Sequence, residues 1–214
     1  MALVVRTLSD QAYELVRKRI LLGEMPPGAP VRQDTIAEEL GVSKIPLREA
    51  LGRLEQDGLL SSFPNRGYVV RPLSSAEAEE VFALRLKIEP AATAEGARRA
   101  TAEQKQAAEA ALEAIESNQA QASLGDAIAA NRAFHLALFR PGGWVTYQLL
   151  ERLHILAERY VRVHLEPTGR SARARKEHRA LLKAWLAADS DQVEALTSDH
   201  VTGTMTDLLR QFAG

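Results

Sequence analysis

The segment spanning residues 33–58 constrains the fold of this chain more than any other. Two short helical patterns, at residues 33–40 and 43–57, are separated only by Gly41 and Val42. Gly41 is a typical helix end, and Ser43 is a typical N-cap that tolerates Pro46 in the first turn of the second helix. Two helices joined by so short a turn form a helix-turn-helix unit, which predicts a compact helical domain here.

The flanking sequence extends this unit into a larger domain. Residues 8–22 form a third helical pattern, with Ala12, Val16 and Ile20 on one stripe, and the run GEMPPGAP at 23–30 breaks it. After Gly58, two short β-rich runs flank Asn65-Arg66-Gly67, which is a hairpin-turn signal. We therefore predict a winged helix-turn-helix domain over residues 1–72.

The remainder of the chain is helical by pattern. The expected fold class is mainly α, with an all-α helical bundle over residues 73–214 behind the winged domain. Pro90 lies inside the first of these helices and is expected to kink it. The six predicted helices lie at 75–100, 102–122, 124–139, 144–165, 171–188 and 190–212.

The second helix of the helix-turn-helix has two distinct faces. At about 100° per residue, Leu47, Ala50, Leu51 and Leu54 share an apolar side, whereas Lys44, Ile45 and Arg48 share another. An arginine can bond a guanine edge in the major groove, and Ile45 can contact a thymine methyl group. Arg66 and Gly67, at the hairpin turn, are candidates for contacting the DNA minor groove or a phosphate group. The pattern predicts binding to double-stranded DNA.

The run from Ile20 to Val70 resembles the GntR family of bacterial regulators. Its features are ILLGEMPPG, then IAEELGVSKIPLREALGRLEQDGLL, then RGYVV. The resemblance implies DNA contact by Lys44, Arg48, Arg66 and Gly67, and it makes Arg32 and Arg53 candidates for phosphate contacts. Lys44 and Ile45 depart from the usual Arg and Thr of the family. One recognition helix per chain reads few base pairs, so we expect a homodimer on a pseudo-palindromic operator.

Three histidines lie on apolar stripes of the second half. His135 follows Asn131 by one helical turn, His178 lies on a stripe with Leu181 and Trp185, and His200 lies with Leu208. The predicted turn between the last two helices lies near residue 189, midway between positions 178 and 200. If these helices run antiparallel, His178 and His200 should therefore lie side by side. The four residues predict a metal site. The alternative is hydrogen-bonded core histidines, which is our interpretation of His154 and His164.

The second half resembles the FCD sensor domain of the FadR/VanR-type branch of GntR regulators. The resemblance rests on Asn131-Arg132-Ala133-Phe134-His135, His178, His200 and the pair Arg85 and Glu89. It implies a divalent metal, zinc or nickel from the ligand types, that helps to bind a small carboxylate effector. Arg85 is the candidate partner of that carboxylate. A salt bridge between Arg85 and Glu89 on an exposed helix face is the alternative.

Composition limits the remaining possibilities. The net charge is −1 and no cysteine is present, so DNA binding depends on where the cations lie, and cysteine-ligated metals are excluded. No run resembles a membrane span or a secretion signal, so we expect a cytoplasmic protein. A ligand-responsive regulator, with a repressor favoured, is the leading interpretation. A metalloenzyme using the three histidines, or a regulator with a ligand-free dimerising domain, are the alternatives.

Overall fold

The computed structural model describes residues 7–117, 124–165 and 170–213. The chain divides into two compact units, Met1–Leu73 and Ser74–Gly214. This division lies one residue from the boundary that the sequence predicts. In the described part of the first unit, the elements are α1 (Leu8–Leu21), α2 (Gln33–Leu40), α3 (Lys44–Gln56), β1 (Leu60–Phe63) and β2 (Gly67–Val70).

Local signals in the sequence account for the start of α1 and the end of α2. Thr7 caps α1, because its hydroxyl accepts from the Asp10 backbone N–H at 3.1 Å and the Asp10 carboxylate accepts from the Thr7 N–H. Gly41 ends α2 in the left-handed conformation, with φ of 61°. Ser43 occupies the predicted N-cap position of α3, although its side chain makes no capping hydrogen bond.

The core of the first unit confirms the apolar face predicted for α3. Leu47, Leu51 and Leu54 are completely buried, together with Ala50 and with Val16 of α1. Burial of this face leaves the opposite side of α3 free to meet another molecule.

The wing differs from the prediction in two details. β1 and β2 pair antiparallel from Leu60 opposite Val70 to Phe63 opposite Gly67, so the turn comprises residues 64–66, one residue earlier than predicted. The segment before α2, predicted only as a helix break, also pairs with β2. The Val31 N–H donates to the carbonyl of Tyr68 at 2.8 Å. Prolines in that segment restrict it to the edge of the sheet.

The second unit consists of six helices within the described residues. They are α4 (Ser75–Arg99), α5 (Ala102–Ser117), α6 (Leu124–Phe139), α7 (Trp144–Leu165), α8 (Arg170–Leu186) and α9 (Ser190–Ala213). The predicted bounds of α6 and α7 are confirmed. α8 ends two residues before the predicted position, because Ala188 adopts the left-handed conformation with φ of 56°. The predicted continuation of α5 to residue 122 lies outside the described residues.

The first helix of the second unit, α4, packs against α6, α7 and α9. The fully buried Trp185 of α8 fixes the end of α6, because its indole N–H donates to the Leu138 carbonyl at 3.0 Å. These contacts place the inward faces of α4, α6, α7, α8 and α9 around a common interior. Across the described ranges, each helix is too short or too polar to span a bilayer.

Substituting Gly96 by alanine is expected to destabilise the second unit by roughly 1–3 kcal/mol or more. A Cβ atom at this position would lie 2.0 Å from the carbonyl oxygen of Leu138, so the backbones of α4 and α6 would have to separate. Gly203→Ala in α9 is the matched control, because its Cβ would meet only the flexible end of Arg173 at 3.5 Å. Thermal unfolding should show a lower melting temperature for Gly96→Ala alone. Equal melting temperatures would contradict the close packing.

Candidate functional site

The outward face of α3 carries the three residues that the sequence assigns to the DNA major groove. Lys44, Ile45 and Arg48 are all exposed, and Ile45 is 72% exposed. An isoleucine this exposed adds little to the packing of its own domain. Its position on the same side as two cations suits a surface that becomes buried against a partner.

The two cations on this face differ in their surroundings. The Lys44 ammonium lies 2.7 Å from the Asp34 carboxylate of α2, and both side chains are exposed to water. An ion pair of this kind is weak and can be exchanged for another anion. Arg48 makes no ion pair with any residue that the structure describes. Its guanidinium is therefore available to an external acceptor.

The predicted wing residues lie at the turn between β1 and β2. Arg66 is exposed, and its backbone N–H donates to the Phe63 carbonyl at 3.1 Å. Gly67 has φ of 71°, a conformation that disfavours side chains, and it lies close to Gln33 at the start of α2. Arg32, immediately before α2, is also exposed. The hairpin thus presents Arg66 at its tip.

Arg53 makes contacts inside its own domain. Its guanidinium lies 2.7 Å from the Asp10 carboxylate and 4.4 Å from the centre of the Tyr13 ring. The hydrogen bond from Arg53, with those from Thr7, lowers the pKa of Asp10 to about 2. Arg53 therefore ties α3 to α1. A phosphate contact by Arg53 stays a prediction.

Three predicted metal ligands converge in the interior of the second unit. His135 of α6, His178 of α8 and His200 of α9 are buried, and each offers a ring nitrogen within 4.8 Å of those of the other two. The ring centres of His178 and His200 are 4.8 Å apart, which agrees with the pairing expected across the α8–α9 turn. The ring of His135 lies 5.1 Å from each of the other two.

Burial determines the protonation state of this histidine cluster. Removal from water holds the pKa of His135 well below its ordinary value, and the neighbouring His200 and His178 lower it further. Burial, with a contribution from His200, also holds the pKa of His178 well below its ordinary value. His135 and His178 are therefore neutral near pH 7, and the neutral imidazole is the form that binds metals.

The donor set fits a divalent metal. Neither ring nitrogen of the buried His178 has a hydrogen-bond partner in the part of the chain that the structure describes. Buried polar atoms without partners are costly, and a metal ion accepted by one of them removes much of that cost. Imidazole nitrogens bind zinc at roughly 2.0–2.1 Å, so modest ring rotations would close the cluster around one ion.

A carboxylate orients the third histidine of the cluster. Nδ1 of His200 lies 2.7 Å from the carboxylate of Glu177, the residue before His178 on α8. A carboxylate on one ring nitrogen fixes the tautomer and directs the other nitrogen toward a metal. Glu177 is itself held by Arg173 at 3.2 Å, and Arg173 also contacts Asp207. Glu177 was not among the predicted site residues, although its position beside His178 was a usable signal.

The fourth predicted ligand, Asn131, lies one helical turn before His135 on α6 and is half-buried. Its amide oxygen is neutral, so it would leave the charge of a metal uncompensated. Its role as a ligand stays a prediction.

Arg85, the predicted carboxylate partner, lies in the interior rather than on an exposed face. Its Nε and Nη2 atoms donate to the Glu89 carboxylate at 2.7 and 3.2 Å, and both residues are buried. The predicted salt bridge therefore exists, but the expectation that it is exposed is wrong. Phe82, Arg85 and Glu89 all lie on the inward face of α4, and this periodicity could have indicated the burial.

Glu89 links this ion pair to the histidines. Its carboxylate lies 3.2 Å from Nε2 of His154 and 3.7 Å from Nδ1 of His135. Burial opposes ionisation of Glu89, but Arg85 and His154 outweigh it and hold the pKa of Glu89 well below its ordinary range. The interior therefore contains an ionised carboxylate beside the histidine cluster, which our sequence analysis did not foresee.

The two remaining histidines were interpreted as core residues. His154 agrees with that interpretation in being buried and in lying outside the set of three convergent histidines, but its Nε2, 3.2 Å from the Glu89 carboxylate, makes no hydrogen bond within the described residues. Its ring centre is 5.3 Å from that of His135, so it lines the cluster. The side chain of His164 lies outside the described residues.

Two family profiles match the chain. The family described as "Bacterial regulatory proteins, gntR family" matches residues 8–70, and the family described as "FCD domain" matches residues 80–203. Each match covers one of the two resemblances seen in the sequence.

Several curated proteins are similar in sequence. An uncharacterised regulator of Agrobacterium vitis is 37% identical over 38% of this chain, and the match spans 47% of that protein. The regulator McbR of Escherichia coli is 26% identical over 70% of this chain and 68% of its own length. The repressor RspR of E. coli is 25% identical over 91% of this chain and 86% of its own length.

Solved structures share the fold. E. coli McbR/YncC covers 96% of this chain and 99% of its own, with a TM-score of 0.82 and 22% identity. A GntR protein of Rhodococcus covers 94% of this chain and 97% of its own, with a TM-score of 0.79 and 20% identity. The three curated relatives are all named as regulators. Together with the family matches, these names confirm the prediction of a regulator and are evidence against the metalloenzyme alternative.

Proposed function

The chain belongs to the GntR family of bacterial transcriptional regulators and carries an FCD domain, and we propose that its two units have separate binding functions. The first unit binds a pseudo-palindromic operator as part of a homodimer. The second unit binds a divalent metal and a small carboxylate effector, which modulates operator binding in the cytoplasm. The observation that carries the sensor part of this proposal is the buried cluster of three convergent histidines, in which both His178 nitrogens lack partners.

The DNA-binding part rests on the distribution of side chains on α3. The apolar side is completely buried, while Lys44, Ile45 and Arg48 project from the opposite side near the helix N-terminus. In helix-turn-helix docking, this end of the second helix meets base edges. Arg66 at the wing tip, with Arg32, then contacts the backbone or minor groove.

The effector-binding part rests on charge. His135, His178 and His200 hold the metal in this proposal, with Asn131 as a neutral oxygen ligand. All four ligands are uncharged in the binding form, so they would leave the charge of a bound divalent ion to attract an anionic metabolite, offset in part by the nearby carboxylates of Glu89 and Glu177. Zinc and nickel suit this set of nitrogen ligands, whereas magnesium and calcium prefer oxygen.

Arg85 recognises the effector carboxylate in this proposal. Its bidentate contact with Glu89 uses Nε and Nη2, and Nη1 remains for a second carboxylate. Because Glu89 also lies close to His154 and His135, an effector carboxylate bound to Arg85 adds negative charge next to the metal ligands. This coupling offers a physical route from effector binding to a change in the second unit.

Repression is the favoured direction of regulation. RspR of E. coli is named as a repressor, and a protein of Paenarthrobacter nicotinovorans is named as a probable repressor of a D-xylose utilisation operon.

The second candidate function is that of a regulator whose helical unit only dimerises. The unpartnered His178 nitrogens favour the metal-binding form, and a metal assay separates the two.

Lys44→Arg combined with Ile45→Thr is expected to change the preferred operator. Both side chains are exposed on the reading face of α3, so exchanging them alters hydrogen bonds and methyl contacts to base edges. Duplexes are selected from a random pool by wild type and, separately, by the double variant. Each protein should enrich a dyad-symmetric consensus, and the two consensus half-sites should be related but differ in some of their bases. Glu109→Lys in α5, far along the chain, is the control and should leave the consensus unchanged. If neither protein enriched any sequence, the proposed DNA reading would be wrong.

A further inference from the structure

A side-chain contact fastens the wing to α3. Oxygen Oε1 of the Glu55 carboxylate accepts two hydrogen bonds from Ser62 of β1, one from its backbone N–H at 2.9 Å and one from its hydroxyl at 2.6 Å. β1 is an edge of the two-stranded sheet, and backbone N–H groups on such an edge can bond to other parts of the chain. Hydrogen bonds to a carboxylate are stronger than those between neutral groups. We name these two hydrogen bonds the wing clamp.

The wing clamp lies on the same stripe of α3 as the predicted base-contacting arginine. Arg48, Gly52 and Glu55 recur at intervals of four and three residues, which places them on one side of a helix. Arg48 is exposed near the start of this stripe. Glu55 holds the wing near its end, about 10 Å further along the helix axis. One stripe of α3 therefore carries both a predicted DNA contact and the support of the wing.

Other contacts also hold the wing against the helices. The Tyr68 hydroxyl of β2 lies 4.0 Å from the point that a Cβ atom on Gly52 would occupy, so this strand packs on α3. The Gln33 amide of α2 comes within 3.3 Å of the corresponding point on Gly67. These contacts depend on packing, whereas the wing clamp is directional and lies one residue before the end of β1. Loss of the clamp would leave β1 without this directional link to α3.

We propose that Glu55 is a positioning residue for DNA binding, which holds the wing so that Arg66 and Arg48 reach the same duplex together. Arg66 follows Ser62 by four residues and is exposed at the wing tip. Without the wing clamp, DNA binding itself would have to order the wing, and this entropic cost would be subtracted from the affinity. The proposal rests on the proposed function, which assigns both arginines to DNA, and adds the residue that sets the spacing between them.

Positioning and simple electrostatics predict opposite effects for the loss of Glu55. A carboxylate close to a DNA-binding surface repels the phosphates, so removing its charge alone should strengthen binding to every duplex. If Glu55 acts through the wing, removing it should weaken binding to the operator despite the loss of a negative charge. The direction of the change therefore separates the two roles.

The experiment measures the affinity of the full chain by fluorescence anisotropy for two labelled duplexes, one enriched by wild type from a random pool and one of unrelated sequence. Glu55→Ala is expected to bind the enriched duplex about tenfold more weakly, comparable to the loss of a hydrogen bond to a charged group. Glu55→Gln should bind as wild type does or slightly more tightly, because its amide oxygen can accept both hydrogen bonds from Ser62. Glu38→Ala, which removes an exposed charge from α2, is the matched control and should not weaken binding.

A double-variant cycle tests whether Glu55 acts through the wing. Arg66→Ala should weaken binding to the enriched duplex in the wild-type background and much less in the Glu55→Ala background, because a loosely held wing already contributes little. Arg48→Ala should weaken binding equally in both backgrounds, since Arg48 lies on α3 itself. A folding defect alone would not produce this difference between the two arginines.

The outcomes separate this proposal from the proposed function. If Glu55→Ala binds the enriched duplex as wild type does, or more tightly, the positioning role is overturned while the DNA-binding function remains. Equal losses on both duplexes, or an Arg66→Ala effect of the same size in both backgrounds, would also contradict positioning of the wing tip. A wild-type chain that enriches no duplex would overturn the proposed DNA reading together with this inference. Thermal unfolding of each variant confirms that the first unit remains folded.

Discussion

Replacing His178 by alanine is expected to abolish metal binding by the second unit. His178 contributes one of three buried ring nitrogens, and removing it leaves two histidines and the neutral amide of Asn131, a set too weak for a stable zinc site. Wild-type protein saturated at about a hundred times the dissociation constant gains about 2.7 kcal/mol from the ion. Its melting temperature should therefore rise by roughly 5–10 °C when zinc or nickel is added. The variant should show no rise.

The controls for this prediction use neighbours of the cluster. His154→Asn should keep metal binding, because His154 pairs with Glu89 and lies outside the convergent set. Glu177→Gln should keep the ion but bind it about 10–100-fold more weakly, because it removes the charge that orients His200. Elemental analysis and thermal melts of the four proteins give the answer. If wild type carries no metal and added ions do not change its melting temperature, the histidines are core residues and the helical unit only dimerises.

Metal binding also has a defined dependence on pH. Burial and the neighbouring histidines lower the pKa of His135 and His178, so both stay neutral to a lower pH than free imidazole. Protons therefore compete less well with the metal at these positions than at exposed histidines.

The sequence predicted those parts of the fold that depend on local chemistry. The bounds of α6 and α7 follow from helical periodicity and from helix-breaking residues such as Pro141. The end of α2 follows from a single glycine, Gly41, and the start of α1 from the capping residue Thr7. The pairing of His178 with His200 was also predictable, because a short turn between two antiparallel helices fixes which positions face each other.

The sequence could not reveal contacts that depend on how separate helices meet. The neighbours of Glu89 come from α4, α6 and α7, and no spacing along the chain indicates that Arg85 and His154 share its carboxylate. The pairing of residues 28–31 with β2 was missed for the same reason, because it joins segments about 40 residues apart. Likewise, Trp144 and Val145 would be assigned to a core by composition, and the structure instead exposes them.

Replacing Arg48 by alanine is expected to weaken binding to the selected operator by about 1–3 kcal/mol, or roughly 5–150-fold. Arg48 is exposed on the outward face of α3, next to Ile45 and one turn after Lys44. Within the part of the chain that the structure describes, no carboxylate neutralises it. An arginine in this position can donate two hydrogen bonds to one guanine, and both are lost in the variant. Binding to unrelated duplex should fall much less than binding to the operator.

Arg53→Ala is the comparison that separates base reading from general loss of charge. It removes the same charge from the same helix, but Arg53 is bound to Asp10 and stacked on Tyr13, so its loss should lower the stability of the first unit. Titrations at several salt concentrations should then show operator preference reduced for Arg48→Ala and retained for Arg53→Ala. Because a lost phosphate contact reduces the dependence of affinity on salt and weakens all sequences alike, equal losses on operator and unrelated duplex would assign Arg48 to the backbone. Operator binding by Arg48→Ala equal to that of wild type would remove Arg48 from the interface altogether.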